Sequence, residues 1–79
     1  MHIMDEKVIK IFSELFEVPE SDITDDMSYN SFAKWDSLEH LELVSKLEGA
    51  FDIDIDMDDV IAMENVGKAK EIVNKYLNK

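Results

Sequence analysis

Two residues of the run WDSLEH, residues 35–40, have side chains that could do chemistry together. Ser37 and His40 are of the types that serve as nucleophile and base in a serine hydrolase, which also needs an orienting acid and an oxyanion hole. On a helix, however, His40 would point about 60° away from Ser37. The chain also lacks the G-x-S-x-G turn that exposes a nucleophilic serine. We therefore expect that these residues do not form a catalytic triad.

The hydroxyl of Ser37 could instead be an attachment point. Asp36 is a good N-cap residue, and Glu39 three positions later makes an acidic variant of the capping box. Ser37 would then be the first helical residue, with its hydroxyl free to face solvent. A phosphate ester there would lie at a helix N-terminus, which favours anions. On these local rules alone, a serine with no role beyond starting the helix remains the alternative.

A calcium-binding loop is the third chemical candidate. Asp52, Asp54 and Asp56 match the start of an EF-hand loop, whose ligands alternate in this way. The sixth position is Met57 instead of glycine, and the twelfth is Met63 instead of glutamate. Because both required features are missing, we expect no metal site of this type.

The first half of the chain is predicted to contain one helix and one long loop. Apolar residues recur at spacings of three and four at Met4, Val8, Ile11, Phe12 and Leu15. This spacing predicts a helix over residues 4–17, which Pro19 ends because the residue before a proline leaves the helical region. The loop over residues 19–35 is expected to be pinned to the core by its apolar residues. These are Ile23, Met27, Tyr29 and Phe32.

The second half is predicted to contain three helices. The clearest covers residues 37–51, a short one covers about 57–63, and the last begins at Val66. The alternating DIDID run, residues 52–56, has no partner strand, so we expect an extended connector that places Ile53 and Ile55 in the core. The predicted fold is all-α: a four-helix bundle, three helices longer and one short, forming a single domain over residues 1–79.

The helix at 37–51 has apolar residues on two faces. A stripe of core type contains Leu43, Leu47, Ala50 and Phe51, with Val44 at its edge. His40 falls toward this side and is expected to be partly packed. Leu38 and Leu41 fall on roughly the opposite side, among glutamates. A pair of outward leucines in acidic surroundings suggests a contact surface for a partner.

Charge and size narrow the function further. The net charge of −11, from 19 acidic residues and 8 lysines, argues against nucleic acid as a partner. Nine of the acids lie within residues 36–59, and the negative field of these residues steers basic partners toward them.

A chain of 79 residues holds a modest core but hardly a deep catalytic cleft, so we expect no enzyme. No apolar run approaches the ~20 residues of a membrane span, so no membrane insertion is expected. The start MHIMDEK lacks a signal-peptide pattern, and we expect a cytoplasmic protein.

The run DSLEHLELVSKLEGAFDIDI, residues 36–55, resembles the acyl carrier protein family. The match lies in D-S-L at a helix start, the acidic amphipathic helix that follows, and its E-x-x-F ending. The resemblance implies that Ser37 carries 4′-phosphopantetheine, donated from coenzyme A by a phosphopantetheinyl transferase. The thiol of that arm would hold acyl groups as thioesters, and the chain itself would catalyse nothing.

The resemblance also implies a docking surface on the D-S-L helix. Its positions here are Asp36, Leu38, Glu39, Leu41, Glu42 and Glu48. Partners would be acyl-transferring, condensing or ligase enzymes with basic docking patches, and the carrier would be a monomer. The pathways implied are fatty-acid or specialised acyl biosynthesis, including polyketides and lipids. Two alternatives remain: an aminoacyl or D-alanyl-type carrier, and an acidic interaction domain without a prosthetic group.

Several positions depart from the pattern of fatty-acid carriers. Lys34 and Trp35 stand where a small Gly-Ala pair is usual, and Ser45 stands where an outward methionine is frequent. Gly49 replaces a customary acid, and Asp56 replaces a frequent proline. A large residue before the D-S-L aspartate occurs in specialised carriers, although Trp35 could equally be a plain core or loop anchor. These departures leave the role of Ser37 intact and put housekeeping fatty-acid synthesis in doubt.

Overall fold

The computed structural model describes residues 3–29 and 33–78. Its α-helices are α1 (Ile3–Phe16), α2 (Ser37–Phe51), α3 (Met57–Ala62) and α4 (Val66–Leu77). A short 3₁₀ turn, Glu20–Asp22, lies in the long connection between α1 and α2. Within the described ranges there is no β-strand, and one isolated bridge joins Ser28 to Asn65. The predicted all-α bundle, with three longer helices and one short, is confirmed.

Local sequence explains where α1 and α2 end. α1 lies one residue earlier at each end than predicted. It ends at Phe16 because Glu17 takes the left-handed conformation with φ 58°. The Lys34 ammonium then donates to the carbonyl of Phe16 at 3.1 Å, which suits the negative end of the helix. α2 has the predicted bounds and ends where Asp52 adopts φ 56°.

An aromatic cluster joins α1 to the segment before α2. Trp35 is 1 % exposed, and its ring centroid lies 5.1 Å from that of Phe12 and 5.8 Å from that of Phe16.

Ile55 of the connector is buried, as predicted. Ala50, by contrast, was predicted to lie in the core and is exposed. The periodic pattern extends the core stripe to the end of α2, but the chain turns away just there, at Asp52.

The long loop is fastened to the start of α4 by backbone hydrogen bonds. These join Val66 N to Met27 O at 3.0 Å, Tyr29 N to Glu64 O at 2.9 Å, and Gly67 N to Asp25 O at 2.9 Å. Ile23 is buried and Met27 half-buried, so both pin the loop as predicted, whereas Tyr29 is more exposed. Phe32, the fourth predicted anchor, lies outside the described residues.

Polar contacts fasten α3 to the end of α4, through residues that we call the α3–α4 network. They are Asp56, Asp59, Lys75 and Tyr76. The Tyr76 hydroxyl accepts from the Asp56 amide at 2.8 Å and donates to the Asp59 carboxylate at 2.6 Å. Lys75 donates to the same carboxylate at 2.7 Å. The hydrogen bonds from Lys75 and Tyr76 lower the pKa of Asp59, and the same carboxylate raises the pKa of Lys75 and of Tyr76.

Candidate functional site

Ser37 occupies the first position of α2, immediately after the cap. Asp36 is extended (φ −102°, ψ −175°), and its side chain accepts from the backbone N–H of Glu39 at 2.9 Å. The predicted capping role of Asp36 is therefore confirmed. Since the cap bond belongs to Asp36, the exposed Ser37 is not needed to start the helix.

A cleft of about 500 Å³ opens beside Ser37, between α2 and α3. Its walls are mainly apolar. Leu41 contributes from α2, Met57 and Ile61 from α3, and Tyr29 from the long loop. An exposed hydroxyl at the mouth of an apolar cleft suits a group with a polar attachment and an apolar end.

His40 forms part of this cleft and is held on both sides. The Trp35 indole N–H donates to His40 Nδ1 at 2.9 Å, and His40 Nε2 lies 2.7 Å from the carbonyl oxygen of Val60. Because an indole N–H can only donate, Nδ1 accepts and Nε2 carries the ring proton, which it donates to Val60. Both nitrogens are thus engaged away from Ser37. This geometry agrees with the expectation that His40 and Ser37 are not a base and a nucleophile.

Five of the six residues predicted for docking lie at or near the start of α2, and the sixth, Glu48, lies near its end. Asp36, Leu38, Leu41 and Glu42 are exposed near the start of α2, with Leu38 at 68 % and Leu41 at 61 % exposure. Glu39 lies among them, half-buried.

Glu48 differs from the other predicted docking residues. It lies at the far end of α2, half-buried, and its carboxylate accepts from the Ile55 amide at 2.9 Å. Glu48 therefore anchors the connector after α2, which the sequence pattern did not indicate.

The sequence reading missed the contribution of α3 to this surface. Met57 is 67 % exposed and Ile61 is 74 % exposed, and both line the cleft. Their spacing of four on a short helix places them on one face, which is the signal that could have identified them. Leu41 of α2 lines the same cleft, and Leu38 is exposed one turn before it on that helix. We call these four residues the apolar rim.

The residues at the start of α2 fit a phosphopantetheine group. The first N–H groups of a helix lack intrahelical acceptors, and Asp36 satisfies only that of Glu39 through its side chain. A phosphodiester on Ser37 would find favourable helix dipoles there, opposed by the Asp36 carboxylate. The cleft gives an apolar surface for what the arm carries. When bound, the group supplies a thiol that forms thioesters.

The described part of the chain holds neither a metal-binding cluster nor a membrane-spanning helix. No group of three histidine, aspartate or glutamate side chains there could hold a metal ion. Among the helices of that part, none is both long enough and apolar enough to cross a membrane.

Comparisons with known proteins identify the family to which the chain is similar. A family model described as the phosphopantetheine attachment site matches residues 6–73. An acyl carrier protein of Lactobacillus johnsonii is 32 % identical over 72 residues, covering 91 % of this chain and 90 % of its own. One of Desulforapulum autotrophicum is 37 % identical over 79 residues, covering 91 % and 95 %.

A solved structure shares the fold. The solution NMR structure of a holo acyl carrier protein from Geobacter metallireducens superposes with a TM-score of 0.84 at 27 % identity. The superposition covers 98 % of this chain and 88 % of that one. The family consists of carriers and not catalysts, and its prosthetic group is 4′-phosphopantetheine. Given the matched length, the shared fold and an exposed serine at a capped helix start, the chain belongs to the acyl carrier protein family.

Proposed function

We propose that Ser37 is the residue that receives 4′-phosphopantetheine. The observation that carries the proposal is the position of Ser37: exposed, first in a capped helix and at the mouth of the apolar cleft. Among the serines that the structure describes, no other combines these features. Ser13 is half-buried and donates to the Val18 carbonyl at 2.6 Å, and Ser45 lies mid-helix. In the transfer, Ser37 Oγ bonds to the phosphorus of coenzyme A that bears the pantetheine, and the P–O bond to the second phosphate breaks. Adenosine 3′,5′-bisphosphate leaves, and the hydroxyl proton passes to a base of the transferase or to water.

The cytoplasmic carrier would then deliver its thioesters to enzymes of fatty-acid or specialised acyl biosynthesis. The apolar rim lies beside Asp36, Glu39 and Glu42, so a partner needs a basic patch around an apolar contact. The charge of −11 supports such steering. Glu48 belongs to the same acidic helix but acts here mainly by holding the connector.

The attachment is tested by intact-mass measurement. The purified chain is incubated with coenzyme A, Mg²⁺ and a broad-specificity phosphopantetheinyl transferase, beside a carrier known to be modified by that enzyme. We expect the mass to rise by one phosphopantetheine in the wild type and in Ser45→Ala, but not in Ser37→Ala. Modification that persists in Ser37→Ala, or no modification while the reference carrier reacts, would refute the proposal.

A further inference from the structure

We propose that His40 limits the cargo of this carrier to short acyl groups, by closing the inner end of the cleft. This inference rests on the proposed attachment at Ser37 and adds the class of cargo. Ser37 and His40 line the same cleft, so an acyl chain that the arm folds back into this cleft meets the imidazole where α2 contacts α3.

His40 closes the cleft because it joins the two helices that form it. From α2, its Nε2–H donates to the carbonyl of Val60 in α3 at 2.7 Å. From behind, Trp35 donates to Nδ1 at 2.9 Å, and the two rings stack with centroids 6.0 Å apart and planes at 24°. Tyr29 packs edge-on against the imidazole at 5.7 Å. The imidazole is therefore fixed on three sides.

The part of the core next to His40 is occupied by aromatic rings. Trp35 is 1 % exposed and packs directly against Phe12 and Phe16 of α1. A chain that entered the core would have to displace rings from an already close-packed interior.

Displacing His40 also has a polar cost. It would break both of its hydrogen bonds, leaving the Trp35 N–H buried without an acceptor and the Val60 carbonyl with only the longer bond from the Met63 amide at 3.4 Å. The unpaired Trp35 N–H alone costs roughly as much as the burial of two methylene groups gains. The free energy of a long acyl chain is therefore lower in the outer cleft, among the exposed Met57 and Ile61, than in the core behind His40.

The cargo that fits is a short or polar acyl group that ends before the imidazole. A longer alkyl chain can be attached, but its added carbons lie in the open outer cleft, largely in contact with water, and add little stability. His40 is in this sense a specificity-determining residue, acting through shape and through the two bonds that hold it.

The test is a chain-length series on the intact carrier. Acetyl, butyryl, hexanoyl, octanoyl and dodecanoyl forms are made with the transferase and the matching acyl-coenzyme A, and loading is verified by mass. Two quantities are measured for each form: the melting temperature and the half-life of the thioester in hydroxylamine. In the wild type we expect both to level off by butyryl, with half-lives that differ less than about twofold from butyryl to dodecanoyl.

His40→Ala is the variant that opens the inner end, and Ile61→Ala is its matched control on the outer wall. In loaded His40→Ala we expect the melting temperature to rise with each added pair of carbons. The half-life should lengthen at least about threefold from butyryl to octanoyl, because a sequestered thioester reacts only from its exposed fraction. Ile61→Ala should keep the wild-type plateau.

The possible outcomes separate the two proposals. Failure to load at Ser37 would overturn the attachment, and the length series would not be reached. A wild-type carrier that loads and then gains stability steadily from butyryl to dodecanoyl would overturn the role of His40. The wild-type series gives this answer even when His40→Ala does not fold.

Discussion

Asp36 combines two roles that substitution can separate. Its carboxylate caps α2 through one hydrogen bond of 2.9 Å to the Glu39 amide, and it also adds negative charge beside Ser37. Asp36→Ala removes both the bond and the charge. Asp36→Asn removes the charge and keeps an oxygen that can accept the same bond, since asparagine caps about as well as aspartate.

The expected magnitudes follow from the geometry of the cap. Loss of an N-cap side chain costs about 1 kcal/mol, within a range of roughly 0.5–2 kcal/mol. For a domain of this size, each kcal/mol lowers the melting temperature by about 4–8 °C. Asp36→Ala should therefore melt about 4–8 °C below the wild type. Asp36→Asn should stay closer to the wild type at about 0.15 M salt, where screening weakens the interaction of the lost charge with the helix dipole.

α4 provides a matched control. Asn65 caps α4 in the same way, accepting from the Lys68 amide at 2.7 Å, but far along the chain from Ser37. Asn65→Ala should lower stability by a similar amount and leave the transfer rate to Ser37 unchanged at a temperature where the protein is folded. Asp36→Asn should do the reverse, with near-normal stability and slower transfer, because it removes a charge of the proposed docking surface for the basic patch of the transferase.

The assays are urea unfolding followed by circular dichroism, and the initial rate of phosphopantetheine transfer. Equal destabilisation by Asp36→Asn and Asp36→Ala would show that charge, and not the hydrogen bond, stabilises the start of α2. An Asp36→Ala variant as stable as the wild type would show that the cap adds nothing to the free energy of unfolding. Either result would refute the reasoning from the cap geometry.

Two further predictions concern charge. Glu42→Lys should slow association with a basic partner enzyme more at about 0.01 M salt, where the Debye length is about 30 Å, than at about 1 M, where it is about 3 Å. Stopped-flow rates should show a smaller effect for Glu14→Lys on α1, and equal effects would exclude a local docking face. Asp59→Ala should destabilise the protein relative to Asp58→Ala between pH 4 and 10, because hydrogen bonds lower the pKa of Asp59 from 3.8 and raise that of Tyr76 from 10.0. The difference in stability should shrink as the pH falls below 3.8 through the lowered pKa of Asp59, and as it rises above 10.0 through the raised pKa of Tyr76. Urea unfolding at three pH values measures it, and a difference that stays constant would contradict the prediction.

Features that depend on neighbours in the sequence could be predicted. The bounds of α2 follow from Asp36 at its start and from the apolar period that continues to Phe51. The outward position of Leu38 and Leu41 follows from the same period, because a residue on the face opposite the core stripe cannot be buried by it. Pro19 likewise indicated that α1 ends close before it.

Features that depend on the packing of separate segments could not be predicted. The two hydrogen bonds of His40 reach Trp35 and Val60, and no local rule places Val60 across from α2. The bond from Ile55 to Glu48 requires the turn after α2, which also explains why Ala50 is exposed. The sequence therefore indicated a partly packed histidine, whereas only the arrangement of the helices shows what holds it.

The bond between Trp35 and His40 gives the protein an optical property. Trp35 is the only tryptophan of the chain, and its indole N–H is bonded to a residue that lines the cleft. The emission of an indole depends on the dipoles around it and on the groups that quench it. A change at the inner end of the cleft thus alters the surroundings of the single fluorophore. Loading and transfer of the acyl group should therefore change the fluorescence emission of Trp35, which can be measured in the unlabelled carrier.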